Sequence, residues 1–203
     1  MRTMNCIKAT TALALFFMLG ACRNQSEPKN PVEPVTSTED PMKKAEESND
    51  AKFESKKSEK DAEFLSKAAE ISLEEIKLGK LAQQRSANKD VKDLGKMMET
   101  DHNKAFGETS ELALKKMVSI PRENTDKIND AYDKFNKMSS KNFDKEYCDA
   151  MVSGHQDAIS LFDKASTDSA DPDIKAWAAG MLPKLHEHLD HAMACQKVLD
   201  KKK

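Results

Sequence analysis

Four stretches of this chain repeat apolar residues at alternating spacings of three and four, the periodicity that lays one continuous stripe along an α-helix. The first carries Phe64, Ala68, Ile71, Glu75, Leu78 and Ala82, and the second Val91, Gly95, Met98, His102, Ala105, Thr109 and Leu112. The third carries Tyr147, Met151, His155, Ala158 and Phe162. The fourth carries Ile174, Ala178, Met181, Leu185, His188, Ala192, Cys195 and Leu199. A stripe of this kind must be covered, so four of them predict helices packed on one another. Composition excludes the competing classes, because 5% aromatic residues and 6 Gly in 203 residues supply neither the strands nor the turns of a sandwich, a barrel or a glycine-rich nucleotide fold.

The breaks between stripes set the connectivity. Asn88-Lys89-Asp90 separates a helix starting at Asp61 from one running from about Asp90 to Val118, and Pro121 stops the second. The third helix is read from Phe143 to Thr167. Asp171-Pro172 then supplies an N-cap and a first-turn proline for the fourth. Residues 119–141 are too long for a link between adjacent antiparallel helices, which usually takes about two to eight residues. They are expected to form a crossover carrying one short helix near Asp126 to Met138. Two hairpins joined by such a crossover give an all-α, ferritin-like four-helix bundle over residues 60–203.

Upstream of the bundle the chain reads as an address and a tether. Arg2 and Lys8 precede an apolar run from Ala9 to Leu19, about half the roughly 20 residues a membrane-spanning helix needs, so residues 1–21 are read as an export signal. Leu19-Gly20-Ala21-Cys22 resembles the bacterial lipobox, which implies that Cys22 is lipidated and becomes the first mature residue. By resemblance to the sorting rule of enteric-type bacteria, Arg23 in place of Asp points to the outer membrane, facing the periplasm or the cell surface. Residues 22–59 hold four of the seven prolines and few large apolar side chains, the composition of a flexible tether, whose last part, from about Ala51, also reads as a solvated extension of the first helix. The membrane, through the lipid anchor, is the one partner this predicts. A formal charge of −2 gives no basic field for nucleic acid.

Each stripe contains one residue that packing alone does not explain: Glu75, His102, His155 and His188. In an antiparallel hairpin, two residues at one level have an index midpoint on the turn. The midpoint of Glu75 and His102 falls on the Asn88-Lys89 break, and that of His155 and His188 on the Ala170–Pro172 break, so each pair is expected to be level. One carboxylate and three imidazoles converging in a bundle interior match the donors of a mononuclear Zn, Fe or Cu site. Glu99 and Asp101, beside His102, are the second-shell candidates. Neither Val152 nor Leu185, three residues before His155 and His188, is the Glu that a second Glu-x-x-His would require, so a six-ligand di-iron set cannot be built. The other reading of the same residues is a buried Glu–His network that holds the helices in register without metal. His186 and His191 are expected at the surface. Cys148 and Cys195 share the midpoint of His155 and His188, and are read either as a disulfide clasping the third and fourth helices or as two buried thiols.

Glu75-Ile76-Lys77-Leu78-Gly79-Lys80-Leu81-Ala82, Asp101-His102 after Met97-Met98, Phe143-Asp144 with Tyr147, Met151 and His155, and Leu182-Pro183 followed by His188 resemble the domain of unknown function 4142 family, which is placed in the ferritin-like group. The resemblance covers roughly residues 60–200. It implies a ferritin-like fold and an exported location, and no activity. No Ser–His–Asp order, phosphate-binding glycine loop or Cys-x-x-Cys favours hydrolase, kinase or thioredoxin chemistry. The first expectation is therefore a non-enzymatic, lipid-anchored envelope module, and the alternative is a metal-binding storage or redox protein using Glu75, His102, His155 and His188.

Overall fold

The structure is a computed structural model that describes residues 39–201. Among these residues are six α-helices and no strand: α1 (Pro41–Asp50), α2 (Lys56–Arg85), α3 (Lys89–Lys115), α4 (Asp126–Lys137), α5 (Ser140–Asp168) and α6 (Pro172–Asp200). The expected signal peptide, the lipidation site at Cys22 and the tether as far as residue 38 lie outside the described residues. None of the described helices is long and apolar enough to cross a membrane.

Local chemistry sets the helix ends. Ser55 accepts from the Ser58 amide, Asn88 from Asp90, and Asp171 from Asp173 and Ile174 with Pro172 at the first helical position, so each of these termini is relieved of orphan donors. At the end of α3, Met117 stands at φ 57°, the Val118 amide donates to the Ala113 carbonyl and the Met117 amide to Leu114. This is a Schellman stop with methionine where glycine is usual. α6 continues through Pro183.

The long helices form two hairpins, α2 on α3 and α5 on α6, with α2 also lying on α5 and α3 on α6. Gly79 and Gly95 bring α2 and α3 together. A Cβ added to Gly79 would sit 2.5 Å from the Gly95 carbonyl oxygen, and one added to Gly95 would sit 2.7 Å from that of Gly79. Lys115 and Lys116 at the end of α3 bind Asp173 at the start of α6, at 2.8 and 2.7 Å, so these two helices run antiparallel. The crossover helix α4 lies against α2, where Lys77 donates to Asn129 at 2.6 Å.

One part of the expected tether is structured. α1 starts on Asp40, whose carboxylate caps the Met42 and Lys43 amides, and Pro41, one of the prolines taken as a tether signal, occupies the first helical position. The helix is held by polar pairing. Asn49, buried, donates to the Ser119 carbonyl at 2.8 Å and accepts from the Ser119 amide at 2.7 Å, while Asp40 also accepts from the Asp126 amide. Counting large apolar residues cannot detect a segment fastened by a side-chain amide. α2 starts at Lys56, inside the stretch from Ala51 read as a solvated extension of the first helix, and its first residues are largely exposed.

The interior divides into two apolar clusters. One, around Phe64, Leu65, Phe162, Ile174 and Leu185, includes an edge-on Phe64–Phe162 pair at 5.0 Å. The other, around Leu78, Met98, Phe143, Tyr147 and Met151, contains Phe143 stacked on Tyr147 at 6.1 Å. Between them along the four long helices fall Glu75, His102, His155 and His188, all buried. The helices therefore carry these four residues as a polar layer between two apolar ones.

Candidate metal centre

His102, His155 and His188 meet in that layer, 3%, 1% and 1% exposed, with one ring nitrogen of each lying within 4.8 Å of the others. α3, α5 and α6 each contribute one. The rings are mutually close, with centroids 5.3–5.8 Å apart.

The hydrogen bonds fix the ring protons. His155 Nδ1 lies 2.9 Å from the Met151 carbonyl oxygen, which can only accept, so Nδ1 carries the hydrogen. Burial pushes the His155 pKa down to about 4, opposed by that carbonyl bond, so near neutral pH the ring is uncharged and Nε2 holds a lone pair. On the other side, His188 Nε2 lies 2.9 Å from Asp101 Oδ2. Burial raises the Asp101 pKa, but the bond from His188 and the nearby Lys184 outweigh it and hold the group below its ordinary value, so Asp101 is a carboxylate and accepts. Burial lowers His188 despite Asp101, so its ring is neutral too: Nε2 carries the hydrogen and Nδ1 the lone pair.

The consequence lies in the middle. His155 Nε2 and His188 Nδ1 face each other at 3.3 Å, and with both rings neutral and their outward nitrogens protonated neither carries a hydrogen. Two lone pairs so placed repel, and a cation shared between them removes the conflict. Two nitrogens bound to one tetrahedral ion at about 2.0–2.1 Å stand roughly 3.3–3.4 Å apart, which is the spacing found. His102 supplies the third donor. Neither of its ring nitrogens has a hydrogen-bond partner, and burial, with the neighbouring histidines, holds its pKa well below the usual value. A buried imidazole without partners is costly unless something binds it. Outward bonds from ring N–H groups to a carbonyl and a carboxylate are also how metal-binding histidines are oriented.

The four-residue set expected from the stripes is not assembled. Glu75 is buried in the same layer but is not among the gathered donors. Its Oε1 lies over Gly154, 3.7 Å from where a Cβ there would stand, so the carboxyl fills the space beside that glycine. Glu75 Oε2 has no partner, and burial, reinforced by Glu74 and opposed by Lys127, raises its pKa to about 8. The metal-free reading, a network of buried polar groups bonded to one another, is met in part: His155 and His188 link the Met151 carbonyl to Asp101, while Glu75 Oε2 and both His102 nitrogens stay outside it. Of the two acids flanking His102, Asp101 accepts from His188 at 2.9 Å. Glu99 instead accepts from Gln83 at 2.9 Å on the α2–α3 face. Asp101 opens on its other side into a surface cleft of about 420 Å³ lined by Lys104, Glu108, Trp177, Met181 and Lys184. His186 and His191 are exposed, as expected. Sequence reasoning missed the Met151 carbonyl, a backbone acceptor one helical turn before His155 that carries no residue-type signal.

The profile of the domain of unknown function family DUF4142 matches residues 46–195. The chain belongs to the DUF4142 family. The match begins within α1 and includes all three histidines. No curated protein and no solved structure matches the chain.

Proposed function

We propose that this DUF4142 protein is a binding protein for one transition metal ion, held in a ferritin-like bundle by His102, His155 and His188. The observation that carries the reading is the convergence of three buried ring nitrogens, His155 Nε2 and His188 Nδ1 at 3.3 Å beside a His102 ring that has no hydrogen-bond partner. Three neutral imidazoles suit Zn, Cu, Ni, Co or Fe and leave one coordination position for water or a small ligand. Asp101 orients His188 and offsets one unit of the ion's charge in a buried layer. The geometry thus favours the metal-binding alternative over a purely structural envelope module. The proposal keeps the envelope setting: Leu19-Gly20-Ala21-Cys22 supports an exported lipoprotein of the outer membrane, anchored through Cys22.

The test uses the full chain without a histidine tag, stripped with a chelator and titrated with Zn²⁺ against a chromophoric competitor. The expected result is one tightly bound equivalent per chain, lost in His102→Ala, His155→Ala and His188→Ala. Failure to bind, or equal binding in all three variants, overturns the reading. The anchor is checked separately by the intact mass of the mature protein, since an unmodified N-terminus or one other than Cys22 contradicts it.

A further inference from the structure

Two turns from the histidines, α5 and α6 meet through sulfur. Cys148 and Cys195 are both buried in the same apolar cluster, and no sulfur–sulfur bond joins them in this structure. The next residue on each helix links the two helices, since Gln196 donates to Asp149 at 2.7 Å. Packed helix axes usually stand about 8–10 Å apart, whereas the Cα atoms of a disulfide stand about 4.4–6.8 Å apart. Ala192, one turn before Cys195, is small and fully buried. Cys195 also forms part of the wall of an open cleft of about 360 Å³, with Leu94, Met97, His191, Ala194 and Val198. Cys148 is completely covered.

We propose that Cys148 and Cys195 are a disulfide-forming pair that covalently closes the end of the α5–α6 hairpin remote from its 169–171 loop. The co-reactant is an external disulfide, from a small molecule or an oxidoreductase. Cys195, at the cleft, loses its proton and attacks one sulfur of that disulfide. The external S–S bond breaks, one thiolate leaves and takes up a proton, and a mixed disulfide remains on Cys195. Cys148 then loses its proton and attacks the Cys195 sulfur, displacing the second external thiolate, which is protonated in turn. Two cysteine thiols are oxidised and one external disulfide is reduced to two thiols.

The order of events follows from the environment. In the folded helix pair Cys148 is completely covered, so no water or base reaches its thiol to take the proton. Exchange therefore proceeds while the last turns of α6 are still unseated, as the chain folds in an oxidising medium. Once formed, the link spans roughly 47 residues and leaves His155 and His188 between a covalent tie and the loop.

The test is made on the full chain with Cys6→Ser and Cys22→Ser, so that only this pair remains. The protein is refolded from reductant and denaturant into oxidised and reduced glutathione, then unfolded without reductant for thiol titration. The expected result is no titratable thiol, one intramolecular link between the peptides bearing Cys148 and Cys195, and a thermal midpoint raised by roughly 5–15 °C that reductant abolishes. A further Cys195→Ser substitution is expected to leave one titratable thiol and no reductant-sensitive midpoint. Two titratable thiols per chain, or glutathione held on both cysteines, overturns the proposal. None of these readouts depends on metal, so failure here and failure of the metal reading are distinguishable.

Discussion

The apolar cluster around Leu65 and the layer containing the three histidines are equally buried, yet they solve the problem of burial differently. In the cluster, Phe64, Phe162 and Trp177 interlock through ring contacts of 5.0–5.9 Å. Nearby polar atoms close on the backbone, as Ser72 does on the Ala68 carbonyl at 2.9 Å. The layer leaves its polar atoms open. Among the described residues five buried side-chain atoms lack a hydrogen-bond partner, and three of them belong to Glu75 and His102. A region that is buried, well packed and electrostatically incomplete carries a ligand's requirements rather than a core's.

The comparison predicts opposite responses to substitution. The largest effect on stability is expected in the cluster: Leu65→Ala, at a position with no exposure, should cost about 2–5 kcal/mol in denaturant unfolding and leave one zinc per folded chain. In the layer the expectation reverses. His188→Ala should abolish tight zinc binding, seen by competitive titration, and should also remove the rise in thermal midpoint that zinc gives the native chain. A next smaller effect is expected at Asp101→Asn, which keeps the size of the group but not the charge. Zinc affinity should fall roughly 10–100-fold while the metal-free chain unfolds as before.

The smallest expected effect is a change of slope with pH, and it singles out Glu75. Its folded pKa, raised to about 8 from the ordinary 4.5, means that the stability it contributes is full below 4.5 and lost as pH rises through 8. The histidines act in the other direction. His155, lowered from 6.5 to about 4, contributes stability above 6.5 that is lost as pH falls toward 4. From about pH 7.5 upward, a unit above the ordinary histidine value of 6.5, the three histidines are neutral in both states, so Glu75 sets the slope in the layer as pH rises through 8. Denaturant unfolding of the chelator-treated chain should show stability falling across that window, and Glu75→Gln should flatten the fall.

The sequence and the structure agree where a physical signal is local or periodic. The four stripes, the break at Asn88–Asp90, the cap at Asp171 and the crossover helix could be read because each rests on spacing or on a turn residue. The histidines could be read because an imidazole on an apolar stripe is an anomaly in itself. Three features could not. α1 is secured by Asn49 pairing with the Ser119 backbone, and hydrophobicity does not register such a contact. Glu75 is level with His102 by index, but an index levels backbones and says nothing of a side chain directed to Gly154. The ring protons depend on acceptors, the Met151 carbonyl and the Asp101 carboxylate, whose positions exist only once α3, α5 and α6 are packed.

The central claim is that three imidazoles bind one ion, and X-ray absorption at the zinc edge of the fully loaded, untagged chain addresses it most directly. The account expects a first shell of three imidazole nitrogens at about 2.0–2.1 Å with one further light atom. It expects no second metal at the roughly 3.5–4 Å of a dinuclear site. A shell dominated by carboxylate oxygen, fewer than three imidazoles, or a metal neighbour at that distance would contradict it.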